Sequence, residues 1–105
     1  MLPKSQRLST KQFNEVLEKG HMAHTSFFIV RTLGGFKDKR VAAVVPKKVG
    51  KTAVARHRGT RRMYEAIQAV FELFPVGTHS IVFAKKSVAD IPFDKLVSDL
   101  KTLGV

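Results

Sequence analysis

Residues 52–74 read TAVARHRGTRRMYEAIQAVFELF, and they predict the longest helix of the chain. Pro75 and Gly77 end that helix, and Gly59 weakens it, since glycine costs about 1 kcal/mol relative to alanine in a helix interior. Its apolar residues recur at helical spacing and predict one buried stripe. They are Met63, Ala66, Ile67, Val70 and Phe74.

Runs of strand-forming residues lie on both sides of this helix. Ser26 to Leu33 and Arg40 to Val45 are rich in β-branched and aromatic residues, and residues 34–39 between them are turn formers. The simplest pairing of two such runs is an antiparallel hairpin. Pro46 ends its second strand because proline cannot donate to a ladder. After the long helix, His79 to Ala84 predicts a third strand.

The two ends of the chain predict one further helix each. Ser9 and Gln12 have the spacing of a capping box, so a helix is expected from about residue 10 to residue 19. Gly20 is expected in its left-handed C-terminal turn. Near the other end, Asp90 is expected to cap a last helix. The apolar stripe of that helix consists of Phe93, Leu96, Val97, Leu100 and Leu103.

The predicted order of elements is helix, strand, strand, helix, strand, helix. This order is typical of an α+β domain in which helices pack on a small, mostly antiparallel sheet. A chain of 105 residues suffices for one core and is too short for two, so residues 1–105 are assigned to a single domain. With 44% hydrophobic and 26% charged residues, the chain should fold.

The charge of the chain limits the classes of molecule that it is expected to bind. The 19 lysines and arginines exceed the 8 acidic residues and give a formal net charge of +11. Nucleic acid is the polyanion that usually offsets such self-repulsion, whereas a membrane fits poorly because no segment approaches the roughly 20 apolar residues of a span. The lack of an apolar run behind the first residues predicts a cytoplasmic protein. Zero cysteines exclude disulfides and cysteine zinc sites.

Most of this charge lies around the start of the long helix. Between Asp38 and Glu65 there are nine basic residues and no acidic one. A solvated helix face normally interleaves glutamate with its cations, so this asymmetry indicates a surface that meets phosphates. The alternative is a charged face that only keeps the protein in solution. At about 100° per residue, three arginines project together away from the apolar stripe, while the direction of Arg56 stays open. These three are Arg58, Arg61 and Arg62.

The segment from Val45 to Arg62, VPKKVGKTAVARHRGTRR, resembles the signature of the bacterial ribonuclease P protein family. The likeness lies in a Lys-Lys turn that leads into Arg-x-Arg and a further basic pair. The opening Leu2-Pro3-Lys4 and the pair Arg7-Leu8 are also similar to the start of the family. Two departures stand out: His57 replaces the usual Asn, and Gly59-Thr60 replaces the typical Ile-Lys.

The resemblance implies a ribosomal protein S5 domain 2-like fold with a left-handed βαβ crossover into the basic helix. It implies a protein subunit that binds the catalytic RNA of ribonuclease P and the 5′ leader of precursor tRNA, with no obligate protein partner. The RNA subunit then performs the cleavage and binds most of the Mg²⁺, with a possible indirect metal site near His57. The residues implied to contact the RNA subunit are Lys47, Lys48, Lys51, Arg56, His57, Arg58, Arg61 and Arg62.

The resemblance also implies a cleft for the single-stranded leader between the first helix and the sheet. Unstacked bases can lie on apolar or aromatic faces there while neighbouring cations hold the phosphates. The implied wall residues are Phe13, Leu17, Phe27, Ile29 and Arg31. Helical spacing with Val16 also fits a core position for Phe13, and both interpretations stay open.

Other functions are weighed on the residues alone. A ribosomal or general structured-RNA-binding protein shares the charge and the fold class but requires no leader cleft. A DNA-binding regulator is disfavoured because the sequence has no helix-turn-helix spacing. A protein-only nuclease is disfavoured because the sequence shows neither paired carboxylates nor a histidine with an acid-base partner. The four histidines form no metal motif, and His21 and His24 are expected in a connection.

Overall fold

Three α-helices and four β-strands form the part of the chain that the computed structural model describes, residues 3–102. The helices are α1 (Thr10–Lys19), α2 (Ala53–Ala69) and α3 (Phe93–Lys101). The strands are β1 (His21–His24), β2 (Phe28–Leu33), β3 (Arg40–Val44) and β4 (His79–Ala84). Leu2 and Leu103, which were assigned to the chain start and to the last helix, lie outside the described residues. The predicted α+β class is confirmed.

The strands form one mixed sheet in the order β1-β2-β4-β3. β2 pairs antiparallel with both β1 and β4, while β3 runs parallel to β4. The predicted hairpin of β2 with β3 is therefore wrong, because β4 lies between them. β4 is buried along nearly its whole length, and such a strand is most stable in the middle of a sheet with both faces covered. α2 thus connects two parallel neighbours, and the handedness of this crossover stays a prediction.

β1 is a strand that the sequence did not reveal. Its four residues are all exposed, so no buried face produces the two-residue alternation that marks a strand. It forms by pairing with β2, where His21 faces Thr32 and His24 faces Ile29. The expectation of a connection at these two histidines is therefore wrong.

The start of α1 was predicted correctly and its end was not. The Ser9 N–H donates to Gln12 Oε1 at 2.8 Å, and the Gln12 N–H donates to Ser9 Oγ at 3.2 Å, which completes the capping box. Gly20 has φ −71° and ψ 154°, so it is extended and not left-handed. The chain leaves the helix directly into β1, which requires this extended conformation.

The ends of the other two helices also differ from the prediction. α2 ends at Ala69, and a tighter 3₁₀ turn over Phe71–Leu73 follows it. Pro92 occupies the N-cap position of α3, which begins at Phe93, so Asp90 does not cap this helix. A residue that precedes proline is disfavoured in the α region, and the helix therefore cannot start before Pro92.

The two faces of the sheet are covered differently. The face that we call the core face packs against α2 and α3, while α1 packs on the opposite face, the α1 face, over β2 and β4. Because strand side chains alternate, neighbouring residues of one strand face opposite sides. Buried residues of the core face are Phe28, Val30, Val41, Val82 and Ala84, and they contact Met63, Ala66, Ile67, Leu96 and Leu100 of the helices.

Gly59 lets α2 approach the sheet closely. A Cβ at this position would lie 3.1 Å from Val45 Cγ2 and 3.3 Å from Val88 Cγ2. Such contacts would be tight, so a larger residue than glycine would crowd Val45 and Val88. Gly59 lowers the helix propensity of α2, and it also permits this close packing. The basic start of α2 is thereby held against the carboxyl ends of β3 and β4.

Asp99 of α3 is a buried carboxylate that holds the turn between β1 and β2. Its Oδ2 accepts the Thr25 hydroxyl at 2.5 Å and the Phe27 N–H at 3.0 Å, and its Oδ1 accepts the Ser26 N–H at 3.1 Å. These bonds satisfy groups that are partly removed from water, so they contribute to stability. They attach the last helix to the sheet.

Candidate nucleic-acid interface

The eight residues implied to contact RNA lie in the loop after β3 and along α2, and we call them the basic corner. Lys47, Lys48 and Lys51 are exposed in the loop, and Thr52 caps α2 by accepting the Ala55 N–H at 3.0 Å. His57, Arg58 and Arg61 are exposed on the helix. In the described part of the chain, no ion pair joins a residue of the basic corner to a carboxylate.

Arg56 braces the loop of the basic corner. Its side chain is half-buried, and Nη1 donates to the Gly50 carbonyl at 2.9 Å. A Cβ on Gly50 would lie 2.7 Å from Arg56 Cγ, so the glycine makes room for the arginine. The open question of its direction is thereby settled: the side chain turns back onto the loop.

Arg62 does not project outward together with Arg58 and Arg61, which corrects the sequence prediction. Its Nε donates to the Val88 carbonyl at 3.1 Å, and its Nη2 donates to the Ile91 carbonyl. These two carbonyls lie in the segment between β4 and α3, which a helical projection of α2 cannot anticipate. The planar guanidinium fork suits two acceptors at once, so Arg62 fastens this segment to α2.

Lys86 is a basic residue that the sequence analysis did not select. β3 and β4 run parallel with Val44 opposite Phe83, so their carboxyl ends leave the sheet at the same edge. Lys86 is exposed just after β4, as Lys47 and Lys48 are just after β3. Only the parallel pairing reveals this proximity, because the two lysine pairs are far apart in sequence.

Four of the five predicted wall residues of the leader cleft lie on the α1 side of the sheet. Val16 is the fully buried residue of α1, whereas Phe13 is half-buried and Leu17 is 39% exposed. In β2, Ile29 and Arg31 are both half-buried on the α1 face. The helix therefore covers the sheet through Val16 and leaves apolar surface beside it.

Two further residues extend this apolar surface. Phe83 lies opposite Ile29 across one ladder and opposite Val44 across the other, and all three are half-buried. They form a row across three strands of the α1 face. Because side chains alternate along β4, Phe83 can be assigned to the α1 face once the strands that pair with β4 are known. Arg31 closes one side, since its Nη2 donates to the Gly20 carbonyl at 3.1 Å.

Phe27 is not a wall residue of this cleft, which corrects the fifth assignment. It precedes β2 and packs against the core on the α3 side, with its ring perpendicular to that of Phe28 at a centroid distance of 6.5 Å. It lines a groove together with Lys95 and Ser98 of α3. The alternation of strand side chains predicted that Phe27 lies on the same face as Ile29, but Phe27 precedes the strand. Its N–H donates to Asp99 of α3, which holds this part of the chain near that helix.

Comparison with known proteins identifies the family of this chain. A sequence model of the family described as Ribonuclease P matches residues 2–104. The chain belongs to the ribonuclease P protein family. The ribonuclease P protein component of Corynebacterium diphtheriae is 32% identical over 110 residues, covering 96% of this chain and 92% of that protein. The corresponding component of Nitratiruptor sp. is 31% identical over 96 residues, covering 90% and 85%.

Solved structures of the ribonuclease P protein share this fold. The Staphylococcus aureus protein superposes with a TM-score of 0.74 at 24% identity, over 94% of this chain and 92% of that one. The Thermotoga maritima protein gives 0.77 at 22% identity, over 92% and 93%. The predicted family membership is therefore confirmed. Members of this family are protein components of a ribonucleoprotein endoribonuclease that processes tRNA.

A polar cluster lies near the amino ends of β3 and β4. His79 is buried and stacks on Phe36 with ring centroids 3.6 Å apart, and its Nε2 lies 2.8 Å from Asp38 Oδ1. Arg40 Nε donates to Asp38 Oδ2 at 2.5 Å. The bonds from His79 and then Arg40 lower the pKa of Asp38 from 3.8 to about 2. Asp38 therefore stays ionised and connects two strands and the loop between β2 and β3.

The described residues also bear on metal binding and on membrane insertion. No three His, Asp or Glu side chains among residues 3–102 stand close enough together to hold a metal ion. His57 lines a groove on the surface of α2 together with Arg61, Tyr64 and Glu65. No helix in the described range has the length and apolar character needed to cross a membrane.

Proposed function

We propose that this chain is the protein subunit that binds the catalytic RNA of ribonuclease P through the basic corner and the 5′ leader of precursor tRNA beside α1. Cleavage of the leader then takes place on the RNA subunit with Mg²⁺ that the RNA holds. Family membership and the net charge of +11 support this proposal. The protein works in the cytoplasm, where the precursors are made.

The observation that carries the proposal is the set of exposed cations in the basic corner, which form no ion pair with a carboxylate among residues 3–102. Arg58 and Arg61 are exposed on one side of α2. The exposed lysines of the loop after β3, and Lys86 after β4, lie near the start of this helix. In the free protein these charges repel one another. Phosphates relieve that repulsion and release condensed counterions, which gives both affinity and a strong dependence on salt.

The contribution to the reaction is charge neutralisation and positioning. Catalytic RNA and precursor tRNA are both polyanions, so their approach costs electrostatic free energy unless cations lie between them. A protein that binds one RNA through the basic corner and the leader through the α1 face lowers this cost at the cleavage site. It thereby reduces the concentration of free Mg²⁺ that the RNA subunit needs.

Reconstitution tests this proposal. The purified chain is added to ribonuclease P RNA and precursor tRNA at a Mg²⁺ concentration where the RNA alone cleaves slowly, and cleavage at the mature 5′ end should accelerate. Arg58→Ala combined with Arg61→Ala should reduce the stimulation, whereas Lys101→Ala removes an exposed charge from α3 and should not. RNA binding without stimulation would indicate a general structured-RNA-binding protein instead.

Leader binding is tested with Phe13→Ala. Phe13 is half-buried beside the apolar row of the α1 face, and loss of an aromatic contact to an unstacked base costs roughly 1–3 kcal/mol. Affinity for leader-bearing tRNA should fall more than affinity for mature tRNA. Phe93→Ala on α3 is the matched control, because Phe93 is 42% exposed and distant in sequence from α1. Equal losses for both tRNAs, with the fold intact by circular dichroism, would assign Phe13 to the core.

A further inference from the structure

Tyr64 is the common wall of two grooves on the surface of α2. On one side it lines a groove with His57, Arg61 and Glu65. On the other side it lines a groove with Arg7, Arg40 and the start of α1. The basic surface therefore does not end at Arg61. It continues past the aromatic ring toward the residues that precede α1.

The ring of Tyr64 is held in place while part of it stays accessible. It packs against the hydrophobic core and remains half-buried. A ring that is already ordered loses little conformational entropy when another flat group lies on it. His57, Arg61 and Tyr64 follow one another at i, i+4 and i+7, which places them along one side of the helix within about 10 Å.

Arg40, one of the cations beyond Tyr64, is fixed in position as well. Arg40 donates from Nε to Asp38 at 2.5 Å and from Nη1 to the Arg7 carbonyl at 2.9 Å. Asp38 offsets part of this charge, and Glu65 is the acidic residue of the other groove. Among the described residues around the ring, Arg7, Arg40 and Arg61 outnumber the carboxylates of Asp38 and Glu65, so the surroundings favour an anionic chain.

We infer that Tyr64 is a stacking site for one unpaired nucleobase of bound RNA, with the flanking phosphates against Arg61 on one side and Arg7 and Arg40 on the other. A base inside a duplex has no free face, so the occupant comes from a loop, a bulge or a single strand. Stacking on an aromatic ring accepts every base, so the site has little sequence preference. This inference rests on the proposed function, since it requires that RNA meets this side of α2.

The chain offers a direct probe, because Tyr64 is its single tyrosine and it has no tryptophan. Protein labelled at tyrosine gives ring-proton resonances from Tyr64 alone. The full chain is titrated at low salt with a single-stranded RNA hexamer and with an abasic oligonucleotide of equal length. The hexamer should shift the ring resonances upfield through the ring current of the base, and the abasic strand should not. Equal shifts, or none at saturation, would overturn the stacking site.

Affinity provides a second measurement with matched variants. Tyr64→Phe keeps the aromatic face, while Tyr64→Leu keeps apolar packing and removes that face. The leucine variant should bind the RNA hexamer about five-fold to a hundred-fold more weakly and the abasic strand unchanged, and the phenylalanine variant should match the wild type. An unchanged affinity of the leucine variant for the hexamer, or equal losses for the hexamer and the abasic strand, contradicts stacking. Reconstituted cleavage is scored separately, so normal stimulation without a ring shift rejects the site and leaves the proposed function intact.

Discussion

Two neighbouring arginines of α2 have different surroundings. Arg61 is exposed and lines grooves that open to solvent, whereas the guanidinium of Arg62 donates to the carbonyls of Val88 and Ile91. Both contribute one charge to the net +11 of the chain. Counting basic residues therefore overstates the surface that can meet phosphates, because part of the charge holds the fold together.

The same division applies beyond α2. We call a charged side chain anchored when it bonds backbone groups of the fold, as Arg56, Arg62, Lys85 and Asp99 do. Arg58 and Arg61 and the loop lysines are outward, since they are exposed and form no ion pair in the described part of the chain. Loss of an anchored group should lower the free energy of unfolding, and loss of an outward group should lower the salt dependence of RNA binding.

The largest expected effect is on Asp99, the anchored carboxylate of α3. Asp99→Ala leaves the Thr25 hydroxyl and the N–H groups of Ser26 and Phe27 without their acceptor. We expect the free energy of unfolding to fall by about 3 kcal/mol in urea titrations. Asp94→Ala, an exposed carboxylate of the same helix, is the control. A loss below about 0.5 kcal/mol would show that water replaces the carboxylate.

Arg62→Ala should come next and act on stability. It removes the bonds to the Val88 and Ile91 carbonyls from a half-buried position, and we expect a loss of about 1.5 kcal/mol in the free energy of unfolding. Arg62→Lys should recover only part of it, because an ammonium is not a fork that reaches two carbonyls. The salt slope of RNA binding should stay at the wild-type value. A reduced slope with unchanged stability would class Arg62 as outward.

Arg61→Ala is expected to give the reverse pattern. The slope of log affinity against log salt should fall by about 0.7–0.9 for the lost phosphate contact. The free energy of unfolding should change by less than about 0.5 kcal/mol, because the side chain is exposed. Lys101→Ala controls for the loss of one charge elsewhere. An unchanged slope for Arg61→Ala would mean that this side of α2 faces solvent in the complex.

Local signals predicted the local parts of this fold. The capping box of Ser9 and Gln12 lies within four residues, and the structure contains both of its bonds. The apolar spacing of α2 likewise predicted its buried face, including Met63 and Ile67. Both patterns depend on neighbours within one or two helical turns, which a single sequence displays directly.

Non-local pairing explains what the sequence did not predict. β4 lies between β2 and β3 in the sheet. This strand order depends on the burial of β4 itself, which follows β3 in sequence only after the whole of α2. Lys86 and Phe83 become candidates only after that pairing is known. Arg62 and Phe27 were misplaced because their partners, the Ile91 carbonyl and the Asp99 carboxylate, come from distant segments. The outward directions of Arg58 and Arg61 were predictable from helical spacing, and those of Arg56 and Arg62 were not.

The smallest expected effect concerns the Asp38 cluster, where an anchored network titrates. The pKa of Asp38 is about 2 in the folded protein against 3.8 for the free group, chiefly because of the bond from His79. A lowered pKa means that the ionised carboxylate stabilises the fold above the ordinary pKa, and this contribution is lost as pH falls through about 2. The difference in unfolding free energy between wild type and Asp38→Asn should therefore be constant near neutral pH and shrink below about pH 4. Asp90→Asn is the control, because it removes an exposed carboxylate that lies outside this cluster. A difference that stays constant down to about pH 2 would show that Asp38 acts through its shape and not through its charge.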